Sequence, residues 1–217
     1  LTISCGPARD SGPIDVAIIG NDEELLAEGV RLSPAAQHLR AATAEGLVAL
    51  DASGQIIPAI AERWIVADEG LSYIFRLRDS SWPDGDQITA AEVRRILRDR
   101  LRALDGTSLG LDLAKITDIR AMTGRVIEIR LSGPMPEFLR LLAQPELGLI
   151  QAGSGTGPMI MSLDEDNELV RLSPLAPEDR GLPAREDWEE YARTLTLRAL
   201  PANRAVEAFS VGEVDLV

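Results

Sequence analysis

Short apolar runs separated by turn-forming residues dominate the first two thirds of the chain. The run at 14–19 ends at Gly20, which predicts a buried strand followed by a turn. Runs rich in β-branched and aromatic residues at 64–67 and 72–78 predict a β-hairpin, and Tyr73, Phe75 and Leu77 alternate onto one face of its second strand. A second hairpin is predicted from 115–121 and 125–131.

Helical patterns lie between these strands. Pro34 starts a stretch of good helix formers that predicts a helix over 35–48. Thr89 and Glu92 have the spacing of a capping box, and the residues after them place apolar side chains on one stripe of a helix. A helix with proline at its start is predicted over 136–143.

The last third of the chain mixes strands, one helix and irregular segments. Several prolines among charged residues predict an irregular excursion at 174–187. The predicted fold class is therefore α/β, of the mixed α+β kind. The remaining predicted strands are 147–150, 159–161, 194–199 and 214–217, and the remaining helix is 203–210.

The composition narrows the classes of function. The chain has 217 residues, with 35 acidic and 22 basic side chains and a net charge of -13. This charge argues against nucleic acid as a partner and against docking on an anionic membrane surface. Hydrophobic residues make up 45%, enough for the core of one large domain or two small ones. No apolar run approaches the roughly 18 residues that a membrane-spanning helix needs.

Few residues suit catalysis or metal binding. The chain has one cysteine, Cys5, and one histidine, His38, which are too few for a Cys/His zinc site or an intrachain disulfide. His38 lies in a predicted helix, where a position on the helix face is the favoured interpretation, and no nucleophile–base pair stands out. We expect no catalytic set, no metal and no cofactor.

Two segments invite a ligand interpretation but do not meet its requirements. The glycine-rich loop 153–157 lacks the Gly-Lys-Ser/Thr ending of a phosphate-binding loop. The acidic run 164–168 alternates carboxylates as calcium loops do, without the glycine of the sharp turn or the distant Glu of an EF-hand. A solvated hairpin turn is the favoured interpretation of this acidic run.

The first residue is Leu1 rather than methionine, so we expect a longer translated chain or a processed one. Residues 1–6 resemble the end of a bacterial lipoprotein signal, in which Cys5 carries a lipid anchor and the protein is exported. An ordinary cysteine near the terminus is the alternative, and both interpretations stay open.

The most informative pattern is a series of eight short motifs. They are Glu45-Gly-Leu-Val48 with Asp51, Pro58-Ala-Ile-Ala-Glu-Arg-Trp64, 68–78, Trp82-Pro-Asp-Gly85, Ile88-Thr-Ala-Ala-Glu-Val93, Gly133-Pro-Met-Pro-Glu-Phe-Leu139, Gly155-Thr-Gly-Pro158 and Gly212-Glu-Val-Asp-Leu216. In this order and spacing they resemble the N-terminal half of a family 5 extracellular solute-binding protein. That family comprises the dipeptide-, oligopeptide- and nickel-binding components of bacterial ABC importers.

The resemblance implies a periplasmic-binding-protein type II-like fold, in which two lobes close on a ligand. Residues 1–30 plus 155–217 would form part of the first ligand-binding lobe, and 31–154 an inserted α+β subdomain. The C-terminal lobe is expected to be absent from these residues, which leaves the two-lobed fold incomplete. In this arrangement the first strand pairs with the late strands near 194–199 or 214–217.

The same resemblance implies a binding protein rather than an enzyme. The protein would capture a peptide or similar small solute and deliver it to the permease subunits of an ABC importer, as a periplasmic or extracytoplasmic monomer. Loops at the carboxyl ends of strands in open sheets bind ligands, so the turn after the first strand is expected to face the cleft. We predict Asn21, Asp22 and Glu23 as ligand-binding residues beside the loop 155–157. An ordinary acidic surface turn is the alternative.

Two departures from the family pattern keep other functions open. Met159 stands where an aromatic residue is usual, and the proline-rich stretch 174–187 stands where a Tyr-Trp segment usually follows. One alternative is a degenerate receptor homologue with a protein-interaction role. Another is a hydrolase that uses carboxylates in a cleft. Turnover of esters or glycosides above the buffer rate would distinguish the hydrolase from a binding protein.

Overall fold

The computed structural model describes residues 12–164 and 169–217, which form short strands and helices. The strands are β1 (Ile14–Ile19), β2 (Val48–Leu50), β3 (Ile56–Pro58), β4 (Ala61–Ala67), β5 (Ser72–Leu77), β6 (Ile116–Thr123), β7 (Val126–Leu131), β8 (Ile150–Gln151), β9 (Ser154–Gly155), β10 (Met159–Asp164), β11 (Leu169–Pro174) and β12 (Leu195–Leu200). The α-helices are α1 (Asp22–Leu25), α2 (Pro34–Thr43), α3 (Ala90–Ala103), α4 (Ser108–Asp112), α5 (Phe138–Leu142), α6 (Trp188–Tyr191) and α7 (Ala202–Ser210).

The first four-stranded sheet brings together the early and late parts of the chain. Its strand order is β1-β12-β11-β10. Strand β1 runs parallel to β12, from Ile14 opposite Leu195 to Ile19 opposite Leu200. The Leu216 carbonyl also accepts a hydrogen bond from the N–H of the residue after Val16, in a short parallel bridge. The predicted pairing of the first strand with the late strands is therefore confirmed.

The second four-stranded sheet is antiparallel throughout, in the order β4-β5-β7-β6. Its two outer pairs are the hairpins that the sequence predicts. Tyr73, Phe75 and Leu77 of β5 lie on one face and are all buried. Because side chains alternate along a strand, this face forms one wall of the core.

Helix α3 begins at the predicted capping box and covers the second sheet. Thr89 Oγ1 accepts a hydrogen bond from the Glu92 N–H at 3.3 Å, and the Thr89 N–H donates to Glu92 Oε2 at 3.2 Å. Val93, Ile96 and Leu97 of the predicted stripe are buried in the same cluster as the face of β5. Sheet and helix together enclose the largest apolar core of the described residues.

Two smaller apolar clusters lie on the first sheet. Leu25 of α1 and Leu39 of α2 pack against Val170 and Leu197, and α7 packs against β1. Helix α2 therefore packs on the first sheet, although the predicted division places it in the subdomain 31–154. The division of the chain into 1–30 plus 155–217 and 31–154 stays a prediction.

Helix α2 is shorter than the sequence predicts. It ends at Thr43 instead of continuing to Val48, because the residues that follow are extended and join a strand. The Gly46 carbonyl accepts a hydrogen bond from the Ile60 N–H at 3.2 Å, and β2 pairs with β3. Pairing with distant residues outweighs the helix propensity of this segment.

The segment 136–150 also differs from its prediction. Helix α5 begins at Phe138, so Pro136 precedes the helix instead of occupying its first turn. Most of the predicted strand at 147–150 is not a strand in the structure. A 3-10 turn at Pro145–Leu147 precedes it and includes its first residue, and a hydrogen bond from the Leu147 N–H to the Gln144 carbonyl closes this turn. The fixed φ of proline suits the start of such a turn.

Two sequence features lie outside the described residues. Cys5 is one of them, so lipidation of Cys5 stays a prediction. The other is 165–168, the greater part of the acidic run between β10 and β11, which pair antiparallel on either side of it. The monomeric state is likewise a prediction.

Candidate ligand-binding cleft

A buried ion-pair cluster joins three distant stretches of the chain. Glu45 follows α2 and accepts hydrogen bonds from Arg78 Nη2 at 2.5 Å and from Arg180 Nη2 at 2.6 Å. Arg78 follows β5, and Arg180 ends the 3-10 turn Glu178–Arg180. The Thr156 hydroxyl donates to the same carboxylate at 3.2 Å. One carboxylate therefore connects the second sheet to the loops that flank the first.

The glycine-rich loop reaches this cluster because it packs directly on the end of α2. A Cβ atom on Gly157 would lie 2.3 Å from the carbonyl carbon of Thr43. A Cβ atom on Gly155 would lie 2.4 Å from the carbonyl oxygen of Thr43. The Gly157 N–H donates to that oxygen at 3.0 Å. Only glycine permits such a close approach. The two glycines thus bring Thr156 within hydrogen-bonding distance of Glu45.

A cleft of about 400 Å³ opens beside the ion-pair cluster. This volume falls within the range of about 300–1,000 Å³ that small-molecule sites occupy. Both arginines of the cluster and Thr156 line it, together with the exposed Asp179. The apolar part of its wall includes Trp82, Pro83, Ile150, Met159, Met161 and Leu175.

A second cleft of about 310 Å³ adjoins the first and shares part of its wall. Arg40 and Arg100 line it, together with Glu28. Burial and the nearby charge of Arg100 lower the pKa of Arg40, while Glu146 and Glu28 act in the opposite direction. Burial also lowers the pKa of Arg100. The second cleft therefore holds two partly desolvated arginines, and two carboxylates lie near enough to act on Arg40.

The family of the chain follows from a match to the middle region of a known class of proteins. The model described as "Bacterial extracellular solute-binding proteins, family 5 Middle" matches residues 55–177, more than half of the chain. The chain belongs to this family. The resemblance that the sequence motifs indicate is therefore confirmed.

Two relatives from Escherichia coli K12 show how far the likeness to other family members extends. Over 124 residues the chain is 33% identical to the "Probable deoxycholate-binding periplasmic protein YgiS", covering 48% of this chain and 23% of the relative. Over 198 residues it is 27% identical to the "Nickel-binding periplasmic protein", covering 80% of this chain and 35% of the relative. The chain thus spans roughly a quarter to a third of the length of these relatives.

Solved structures of other binding proteins have the same fold. OppA of Burkholderia pseudomallei superposes with a TM-score of 0.75 at 19% identity, over 96% of this chain and 46% of OppA. The agropinic acid complex of AgaA from A. tumefaciens R10 superposes with a TM-score of 0.73 at 20% identity, over 94% of this chain and 43% of AgaA. The predicted type II periplasmic-binding-protein fold is confirmed, and the chain covers part of it.

The three predicted ligand-binding residues lie at the start of a short exposed helix after β1. Asn21 caps α1, and its Oδ1 accepts a hydrogen bond from the Glu24 N–H at 2.9 Å. Asp22 and Glu23 form the first turn and are exposed. Within the described part of the chain, none of the three lines either cleft. Their contact with a ligand stays a prediction.

Sequence reasoning missed the ion-pair cluster beside the larger cleft. Glu45 and Arg78 belong to the family motifs, but they are 33 residues apart, and Glu45 is 135 residues from Arg180. No periodic pattern predicts contact across such separations. The departure from the family pattern at 174–187 is the one signal that could have drawn attention to Arg180.

Residues 12–164 and 169–217 have neither a membrane-spanning helix nor the ligands of a metal centre. These residues include no helix that combines the length and apolar character needed to cross a membrane. They also bring no three His, Cys, Asp or Glu side chains into a group able to hold a metal ion. His38 is exposed on α2, as the favoured interpretation of its position predicts.

Proposed function

We propose that this chain is part of the solute-binding component of a bacterial ABC importer. The component would capture a peptide or similar small solute in the periplasm, or another extracytoplasmic location, and deliver it to membrane permease subunits. Membership of family 5, from the match over residues 55–177, is the observation that carries this proposal. The reported E. coli relatives support it, because both are named as binding proteins.

The larger cleft supports a binding role in physical terms. Its apolar wall from β10 and Trp82 can bury the body of a small solute, while arginine and hydroxyl groups can fix the orientation of that solute. Binding proteins gain affinity when a second body closes over the ligand. Because the chain covers less than half of the solved neighbours, we propose that residues outside these 217 supply the opposing surface.

Binding measurements on the complete gene product test this function. The panel consists of dipeptides, tripeptides, Ni²⁺ and deoxycholate, and the measurements are thermal unfolding and calorimetry. A solute at a concentration of 100 Kd should stabilise the protein by about 2.7 kcal/mol. Turnover of esters or glycosides above the buffer rate would favour the hydrolase instead. Failure of every solute, together with retention of a protein partner, would favour the degenerate receptor homologue.

We also propose that Asn21, Asp22 and Glu23 contact the solute. They follow the carboxyl end of β1, and such loops are common ligand sites. Two exposed carboxylates would favour a cationic group, such as the amino terminus of a peptide. The test compares peptide affinity of the wild type with Asp22→Ala combined with Glu23→Ala. Unchanged affinity for every peptide that binds would remove this turn from the site.

A further inference from the structure

The ion-pair cluster beside the larger cleft has more positive than negative charge. Arg78 and Arg180 both donate to the single carboxylate of Glu45, and their side chains are 5% and 14% exposed, against 10% for Glu45. Burying an uncompensated charge is unfavourable unless a further partner is present. The cluster therefore has one guanidinium charge that this carboxylate does not neutralise.

Arg180 uses fewer of its donors than Arg78, although the Nε of each arginine is buried without a hydrogen-bond partner among the described residues. Arg78 donates through both Nη atoms, to Glu45 and to the Ala59 carbonyl. Among the described residues, Arg180 donates only through Nη2, and its Nε is buried without a hydrogen-bond partner. The Trp82 Nε1 donor, on the wall of the same cleft, is likewise buried and unpartnered within the described part of the chain.

The groups around Arg180 determine what kind of solute suits it. Asp179 lines the cleft and is exposed, and it forms no ion pair with either arginine in the described structure. Another part of the wall of this cleft is apolar, and it includes Ile150, Met159 and Met161. A complementary solute would therefore combine an acidic group with an apolar body.

We propose that the larger cleft binds the carboxylate of an amphipathic solute through Arg180, with the apolar part of the solute on the wall formed by β10 and Trp82. This inference rests on the proposed function, because it names the class of solute that the binding protein takes. Charge-assisted hydrogen bonds to a guanidinium are stronger than neutral ones and can be bidentate. Arg180 therefore provides selectivity for the acid over its neutral analogue.

The test uses two probes that differ only in charge at one end, sodium octanoate and octanamide. Their dissociation constants are measured by calorimetry on the complete gene product, as wild type, Arg180→Gln and Arg185→Gln. Glu45 keeps Arg78 and Thr156 as partners in Arg180→Gln, so this variant should fold, and its thermal unfolding is recorded alongside. Arg185 is a matched control, because it pairs with Asp187 on the surface and does not line the cleft.

We expect Arg180→Gln to raise the Kd for octanoate at least tenfold and to change the Kd for octanamide less than twofold. Arg185→Gln should change neither, and Arg180→Lys should recover part of the affinity for octanoate. An octanoate Kd that is unaffected by Arg180→Gln, or an equal loss for both probes, would overturn the inference.

The failure of the inference and the failure of the proposed function have different outcomes. A wild type that binds a peptide from the panel but not octanoate contradicts the inference and leaves the proposed function standing. The opposite result is also possible: the wild type binds octanoate, Arg180→Gln weakens this binding, and the protein delivers no solute to a permease. That result supports the inference and contradicts the proposed function.

Discussion

The two four-stranded sheets of this protein are stabilised by different kinds of contact. The strands of the second sheet are mostly neighbours in sequence, and Phe75, Ile127 and Ile129 are fully buried between this sheet and α3. The first sheet assembles strands from the early and late parts of the chain, and its apolar clusters are small. The second sheet therefore has the larger share of buried apolar area, which is the main source of stability.

Large apolar side chains are exposed on both sheets, so the difference between the sheets lies in their buried clusters. Large apolar side chains are exposed on the edge strand β10, at Ile160 and Leu163, and on the outward face of α7, at Val206 and Phe209. Regions with few buried apolar contacts open at lower free energy than deep cores. We therefore expect the first sheet to be the less stable of the two, and to depend on the contacts made by α2 and Glu45.

The largest expected effect comes from the core of the second sheet. Phe75→Ala should lower the free energy of unfolding by about 3–5 kcal/mol, because a cavity replaces a fully buried ring. Leu172→Ala, in the smaller cluster of the first sheet, should cost about 2–3 kcal/mol. Equilibrium urea unfolding measures both. The exposed Ile65 provides the control, and Ile65→Ala should change stability by less than about 0.5 kcal/mol.

The expected difference between the two sheets would be contradicted if Phe75→Ala and Leu172→Ala lowered the free energy of unfolding equally, or if Leu172→Ala lowered it more. In that case the size of the apolar clusters would not determine which sheet is the more stable. A smaller loss in Phe75→Ala than in Leu172→Ala is the result that would require a different account.

The second expected effect concerns the connection between the two regions. Glu45→Gln should destabilise the protein by about 3 kcal/mol, because two buried guanidinium groups lose their shared carboxylate. Glu62→Gln removes an exposed pair with Arg76 and should cost only about 0–1 kcal/mol. Urea unfolding measures both variants, and limited proteolysis within 174–187 shows whether the loop that carries Arg180 is released. Equal losses in the two variants would show that the buried cluster does not stabilise the junction.

Local patterns predicted the second sheet well, and the reason is physical. The hairpin of β4 and β5 and the cap of α3 at Thr89 depend on residues a few positions apart, so their signals are complete in short windows of sequence. The predicted end of α2 was wrong because Gly46 pairs with Ile60, and that tertiary contact has no local signal in the sequence.

Local sequence patterns predicted less of the first sheet and of the cleft. The pairing of β1 with β12 came from the family resemblance, since no local rule joins Ile14 to Leu195. No local pattern predicts that Glu45, Arg78 and Arg180 come together, and only the departure from the family pattern at 174–187 could have drawn attention to Arg180. These three are ordinary charged residues whose burial depends on the completed fold.

The third expected effect sharpens the comparison within the second sheet. Thr89→Ala should destabilise the protein by about 1 kcal/mol, because the Glu92 N–H at the start of α3 loses its cap. Thr89→Ser retains the hydroxyl and should recover most of the loss. Urea unfolding of both variants provides the measurement. An unchanged midpoint in Thr89→Ala would mean that the cap contributes nothing to the core that α3 shares with the sheet.

The smallest expected effect is a dependence on pH that belongs to the second sheet. Glu128 of β7 is buried, and hydrogen bonds from the Ser72 hydroxyl at 2.8 Å and from Arg130 Nε at 2.9 Å hold the pKa of Glu128 below its ordinary value. A carboxyl group with a lower pKa in the folded state stabilises the protein above its unfolded pKa, and this stabilisation is lost as the pH falls through the folded pKa.

Glu128→Gln should therefore reduce stability at pH 7 by about 0.5–1 kcal/mol and flatten the decline between neutral and acid pH. The measurement is the free energy of unfolding in urea at several pH values from 7 down to 3. Glu62→Gln, at an exposed position of β4 in the same sheet, removes the same charge and serves as the control. Identical pH profiles for the two variants would show that Ser72 and Arg130 do not couple the ionisation of Glu128 to folding. A flattened profile in Glu128→Gln alone would show that this buried carboxylate contributes to the greater stability of the second sheet.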